Sequence, residues 1–296
     1  MRRRDFISLL GGAAAFAPMA ASAQQPGRIY RVAVLLPVRR PSPSMDAFID
    51  EMRQAGFVQG RNLELNAPDG FNLSDEQIAE LTERLVKTRP DAIVAGTAAG
   101  VRAAQQATQT IPIVATSEDM LTEGLVDSMA RPSGNTTGIS IMSPGLDGKR
   151  LDLLIEMAPK AKSIAALFDT KIAPQRHTQE LQAAAQARSV SLQVFGAATP
   201  QDVGPAIDAA KAAGAEAINF LATPLFTVNS GIVYERLRAL RLPSIHQWPD
   251  LADDGALAGY GPRFTEMFRQ RGRLLIKVLR GLFWPPAILK CNFLGH

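Results

Sequence analysis

From residue 30 to about residue 260 the chain alternates short apolar runs with longer stretches of helical period. The runs fall at 30–36, 92–96, 113–116, 163–168, 191–195, 217–221 and 257–260. Most are continuously apolar and many are β-branched, which suits strands covered on both faces of a parallel sheet. An amphipathic stretch separates each from the next. Two of these carry helix-start signals. Ser74-Asp75-Glu76-Gln77 is a capping box, the serine oxygen accepting from the first turn and the glutamine reaching back. Ile78, Leu81, Leu85 and Val86 then share one helical face. Thr199-Pro200-Gln201-Asp202 opens another helix with proline at the first helical position, where no donor is missed, and Val203, Ile207 and Ala210 continue its face. Repeated strand–helix–strand units require right-handed crossovers and place helices on both sheet faces.

The series divides at Arg131-Pro132-Ser133-Gly134-Asn135-Thr136-Thr137-Gly138, a turn-rich segment. A crossing between two lobes is expected there, and a second near Gly259-Tyr260-Gly261-Pro262. The long helical pattern over 264–279 would then return to the first lobe. The expected fold is α/β: two Rossmann-like lobes with parallel sheets joined by a hinge. Lobe 1 is expected from 28–138 plus 262–281, and lobe 2 from 139–261. Two crossings favour closure of the lobes around a ligand.

The first 23 residues stand apart from this pattern. Arg2-Arg3-Arg4-Asp5-Phe6 is a basic head, an apolar run follows to Met19, and Ala21-Ser22-Ala23 is a small-residue cleavage site. Arg3-Arg4 before Asp5-Phe6-Ile7 resembles a twin-arginine signal. The run is shorter than the ~20 residues of a membrane span and is broken by Gly11, Gly12 and Pro18. Export to the periplasm with cleavage after Ala23 is therefore expected, with a mature protein that does not span the membrane. Residues 2–5 carry half of the net charge of +4, and no dense Lys/Arg tract follows, so nucleic acid is not an expected partner. Cys291, the one cysteine, excludes an intrachain disulfide framework and a cysteine-based zinc site.

No nucleophile elbow, H-E-x-x-H, P-loop or G-x-G-x-x-G is present. The histidines His177, His246 and His296 are scattered, so neither metal nor cofactor is expected. What remains is a set of polar and aromatic residues just after strand ends, where open α/β sheets bind ligands. They are Gly96 and Thr97; Thr116, Ser117, Glu118 and Asp119; Asp169; Thr223; Trp248, behind His246 and Gln247; and Tyr260. Amides at the helix start after Gly96 suit a carboxylate. Each residue also has a plainer reading. Thr97 and Thr116 fit helix caps equally well. Glu118, Asp119 and Asp169 fit caps or surface acids, and Trp248 and Tyr260 fit packing between lobes. The expectation is that Asp119 or Asp169 reads a ligand amine and that Trp248 or Tyr260 flanks its side chain.

Several segments also match one family. Gly56-Phe57-Val58-Gln59-Gly60-Arg61-Asn62 resembles its G-[YF]-x-E-G-x-N, and Thr110-Ile111-Pro112-Ile113-Val114 its T-x-x-I-P-[IV]-V. Ala130-Arg131-Pro132-Ser133-Gly134-Asn135-Thr136-Thr137-Gly138 resembles its L-A-x-P-G-G-N-[VT]-T-G, and Lys149-Arg150-Leu151 with Pro159 its K-R-[LF] helix. On these, residues 56–281 resemble the ABC transporter substrate-binding proteins of the tryptophan/tyrosine-uptake type. The resemblance implies the type 1 periplasmic-binding fold, a small ligand such as an amino acid between the lobes, and ABC permease and ATPase subunits as partners. It carries a G-T pair onto Gly96-Thr97, and a [GS]-x-D-P loop onto Ser117-Glu118-Asp119-Met120, where Met120 replaces the usual proline. After Gly281 the family continues with a strand and a last helix that residues 282–296 do not match. An uncovered sheet edge and lower stability are therefore expected. The rival readings are a ligand-sensing module for a membrane receptor and an exported enzyme on the same scaffold.

Overall fold

The computed structural model describes residues 27–37, 42–68, 73–141, 143–171, 175–253, 255–282 and 288–290. The expected export signal, His296 and most of the atypical tail lie outside them. No helix among the described residues is long and apolar enough to cross a membrane.

Two parallel sheets organise the chain. The first has the order β11-β5-β4-β3-β1-β2 and the second β10-β9-β8-β6-β7. In the first, β1 (Tyr30–Leu35), β2 (Leu63–Asn66), β3 (Ala92–Gly96), β4 (Ile113–Ser117) and β5 (Thr136–Ser140) are joined by β11 (Ile288–Lys290). In the second lie β6 (Ser163–Asp169), β7 (Ser191–Ala197), β8 (Ala217–Phe220), β9 (Ser244–His246) and β10 (Ala258–Gly259). Every residue of β3, β4 and β5 is buried, as central strands between helix layers require. β7 at an edge instead alternates in exposure.

The connecting helices are α1 (Pro43–Gln54), α2 (Asp75–Lys87) and α3 (Thr97–Ala107) in the first lobe. The second lobe carries α4 (Asp147–Met157), α5 (Gln175–Ala187), α6 (Pro200–Ala212), α7 (Pro224–Val228), α8 (Ser230–Leu240) and α9 (Asp250–Asp253). The capping box of α2 forms in both directions, Ser74 Oγ accepting from Gln77 N–H and Gln77 Oε1 from Ser74 N–H. At the start of α6 the Asp202 carboxylate accepts from the amides of Ala198 and Thr199 and from the Thr199 hydroxyl.

One expectation is corrected at the lobe boundary. Thr136, Thr137 and Gly138 are not part of a crossing but enter β5 between β4 and the sheet edge. The turn stays upstream, where the amides of Arg131 and Ser133 donate to Ser128 and Asp127. Gly138 serves strand packing: a Cβ there would lie 2.1 Å from the Ala115 carbonyl oxygen. A second correction concerns the tail. The edge expected to stay uncovered carries β11, whose Ile288, Leu289 and Lys290 run parallel to Gly138, Ile139 and Ser140.

After β10 the chain returns through α10 (Phe264–Leu279), which packs along α1 and crosses the ends of β3 and β4. Phe48 and Met52 of α1 meet Phe268, Leu274 and Leu275 of α10 in an apolar cluster. This cluster also takes in Val203, Ile207 and Phe220 of the second lobe, so apolar packing on this side runs from one lobe to the other. Phe48 is wholly buried. Phe48→Ala is expected to lower stability by about 3–5 kcal/mol, read as a fall in the urea midpoint at unchanged m-value.

Candidate functional site

A cavity of about 100 Å³ lies between the lobes. Its walls come from the carboxyl ends of strands and the helices that follow, where ligand sites form in open α/β sheets. The first lobe contributes Leu36 and Pro37 after β1, Gly96 to Ala98 at the β3–α3 junction, Thr116 to Glu118 at the end of β4, and Glu123. The second contributes Pro224, Thr227 and Val228 of α7 and Trp248 beyond β9. Helix α10 adds Phe264, Met267, Phe268 and Arg271.

The β3–α3 junction is tight. Thr97 has φ 67, a left-handed conformation that β-branched residues rarely adopt. Its hydroxyl accepts from Gly100 N–H at 3.3 Å, capping α3. A Cβ at Gly96 would lie 2.8 Å from Leu36 Cδ2, so a side chain there would have to push the end of Leu36 aside. The junction places Gly96, Thr97 and Ala98, at the start of an 11-residue helix, on the cavity wall.

The cavity holds one buried cation and two acids. Arg271 is 3% exposed. Its Nε donates to Thr116 Oγ1 at 3.2 Å and its guanidinium lies 4.3 Å from the centre of the Phe268 ring. Ser117 donates its hydroxyl to Glu123, whose carboxyl is pushed above its ordinary value chiefly by burial. Glu118 is buried at the junction of the lobes, and Gln247 Nε2 reaches its two oxygens at 2.8 and 3.0 Å. Burial pushes the Glu118 carboxyl up to about 7; the Gln247 hydrogen bond opposes the shift, and the charge of Glu123 adds to it. Behind this pair, Arg150 and Asp147 of α4 form a buried ion pair, and Arg150 Nε donates to the Tyr260 carbonyl at 2.7 Å.

An aromatic seam forms the apolar wall. Trp248 meets Phe264 edge-on with centroids 5.0 Å apart, and Phe264 meets Phe268 at 5.1 Å. The Trp248 indole N–H is fixed by Thr227 Oγ1 at 3.1 Å.

Of the residues singled out from sequence, Gly96, Thr97, Thr116, Ser117, Glu118 and Trp248 converge on this cavity, whereas Asp119, Asp169, Thr223 and Tyr260 do not line it. Asp119 turns back on its own loop, accepting from the amides of Leu121 and Thr122. Asp169 accepts from Lys171 N–H and from the Thr223 hydroxyl at 3.0 Å, and Thr223 caps α7. The Tyr260 ring packs against the second lobe's outer core. His246 stacks on Phe220 at 4.3 Å, and burial first, then Arg150, pushes its pKa down to about 3, so the ring is neutral. Sequence reasoning missed Arg271 and its α10 neighbours, together with Glu123. Arg271 carried a signal: it falls in the apolar stripe of α10, in helical register with Phe264, Met267, Phe268 and Leu275.

A family model described as ABC transporter substrate binding protein matches residues 31–289. The chain is 27% identical over 246 residues to a tyrosine-binding protein of Clostridioides difficile strain R20291, covering 81% of this chain and 70% of that protein. Among solved structures it is similar to a conserved domain protein from Vibrio cholerae, with TM-score 0.78, 23% identity and 90% of each chain covered. It is also similar to the ABC domain in complex with L-Trp from Streptococcus pneumonia, with TM-score 0.74, 18% identity and coverage of 89% of this chain and 90% of that one. Both likenesses are of fold.

Asp147→Ala leaves the buried Arg150 guanidinium without its carboxylate, and a loss of about 3–5 kcal/mol is expected. Asp147→Asn, which retains an oxygen acceptor, should lose less, as thermal unfolding at pH 7 will read.

Proposed function

We propose that this chain, which belongs to the ABC transporter substrate-binding protein family, captures an amino acid with an apolar or aromatic side chain in the cavity between its lobes. It hands that ligand to the permease and ATPase subunits of an importer. Membership of a substrate-binding family makes it a carrier of its ligand, not an enzyme that transforms it.

One observation carries the choice of ligand: a buried guanidinium, one buried and one half-buried carboxyl, and an aromatic wall share one small cavity. A zwitterion with an apolar tail offers the matching groups. Arg271 and the first amides of α3 near Thr97 receive the carboxylate, which an arginine fork suits. Glu118 and Glu123 receive the ammonium, and Trp248, Phe264 and Phe268 flank the side chain. Gly96, Thr116 and Ser117 shape the walls. The tyrosine-binding relative from Clostridioides difficile makes L-tyrosine and L-tryptophan the first ligands to try. In this reading residues 1–23 are a twin-arginine signal cleaved after Ala23, the mature chain works in the periplasm, and the segments beyond β5 and β10 are the hinge.

Isothermal titration with L-tyrosine and L-tryptophan tests the proposal. Saturable binding is expected, with the ligand recovered unchanged. Arg271→Ala should weaken affinity about 10- to 100-fold through loss of a charge-assisted contact. Asp119→Ala, on the loop outside the cavity, should change it by no more than about twofold. Failure of every amino acid to bind, or equal affinity in Arg271→Ala, removes this reading.

A further inference from the structure

Glu118 and Gln247 face each other from opposite lobes. Glu118 follows β4 of the first lobe, Gln247 follows β9 of the second, and they stand 129 positions apart. Both are buried, with 8% and 3% exposure. A buried side-chain contact across the cleft exists only when the lobes are together; parting them returns both groups to water.

We propose that Glu118 and Gln247 form a clasp that makes closure of the lobes conditional on a cationic group, so that the cleft selects ligands bearing an ammonium. The inference rests on the amino-acid reading of the cavity and adds to it the step by which the ligand is sensed. Closing the empty cleft withdraws the Glu118 carboxylate from water. It then meets two amide contacts from Gln247. The charged groups around it do not neutralise it. Glu123, from the same segment, is another acid. From α4, Arg150 favours the charge but by less than burial opposes it, and Asp147, its ion-pair partner, disfavours the charge. From α10, Arg271 is engaged with Thr116 and Phe268. His246, beside Gln247, is neutral. An ionised Glu118 therefore resists empty closure.

Two things relieve that resistance: a proton on Glu118, or a ligand ammonium beside it. The carboxyl sits at about 7 in the closed form against an ordinary 4.5 when solvated. The closed form thus binds the proton more tightly, so acid favours empty closure, and the favour is lost as pH rises toward and through about 7. At higher pH the ammonium performs the task the proton performs in acid. An analogue with the same ring and carboxylate but no amine brings no such compensation, and closure follows only from a ligand's differential affinity for the closed form.

Small-angle X-ray scattering of the ligand-free protein between pH 5.5 and 8.5 tests the clasp without any ligand. The radius of gyration should fall as pH is lowered. Glu118→Gln, isosteric and unable to ionise, should be compact throughout with a flat profile. Gln247→Leu removes donors that favour the ionised form, so its midpoint should move to higher pH. At pH 8, L-tyrosine should compact the parent and 3-(4-hydroxyphenyl)propionate should not; a preference of at least about tenfold is expected to shrink in Glu118→Gln. A pH-independent radius in the parent, or a parent-like profile in Glu118→Gln, overturns the clasp while leaving amino-acid binding to stand. A pH response without any response to L-tyrosine or L-tryptophan overturns the ammonium step and the ligand reading together, and leaves only a proton-sensitive contact.

Discussion

A carboxylate taken out of water must find donors or a cation, and the junction of these two lobes is arranged around how Glu118 meets that demand. The parallel sheets aim their carboxyl ends at each other, and burial of both faces of each sheet leaves those ends as the place where polar side chains can gather. Thr116, Ser117 and Glu118 reach the cavity because β4 ends there, and Trp248 because β9 does, with Gln247 held against Glu118 beside it. The cavity's polarity is thus a product of topology. Its apolar wall has another source, the helix that returns from the second lobe and lays Phe264, Met267 and Phe268 along the opening.

Much of the architecture was legible because strands buried on both faces write themselves as unbroken apolar runs. Ala92–Gly96 and Ile113–Ser117 are of this kind. The strands that escaped notice lack that signature for identifiable reasons. Leu63–Asn66 lies at a sheet edge and keeps Glu64 and Asn66 exposed, so it reads as polar. Thr136–Ser140 follows four turn-forming residues and contains a glycine chosen for contact with Ala115, so it reads as a loop. Ile288–Lys290 is three residues long, and nothing local distinguishes it; its place comes from pairing with β5 across the sheet.

The site was legible to the extent that strand ends are. The rule that ligands bind beyond them picked out Gly96, Thr97, Thr116, Ser117, Glu118 and Trp248, which line the cavity. It does not discriminate among acids at such ends. Asp119 and Asp169 satisfy it as well as Glu118 does, yet local amides and the Thr223 hydroxyl occupy them. For the backbone amides, position in a turn decides this, through partners two or three residues away, while the Thr223 hydroxyl comes from 54 positions along the chain. Arg271 lay outside the rule altogether, because α10 contributes from its flank and not from a strand end.

Thr97 has a consequence of a different kind. A threonine at φ 67 holds backbone strain of order 1–3 kcal/mol, and at its neighbour Gly96 a side chain would have to displace the end of Leu36. Selection for a more robust fold would replace Thr97 with glycine or asparagine, which adopt this conformation readily. Selection for capture would retain whatever hydroxyl and helix start the ligand meets. In the proposed reading, hardiness and affinity pull in opposite directions at this one turn, since a change that relaxes Thr97 also alters the helix start proposed to receive the ligand.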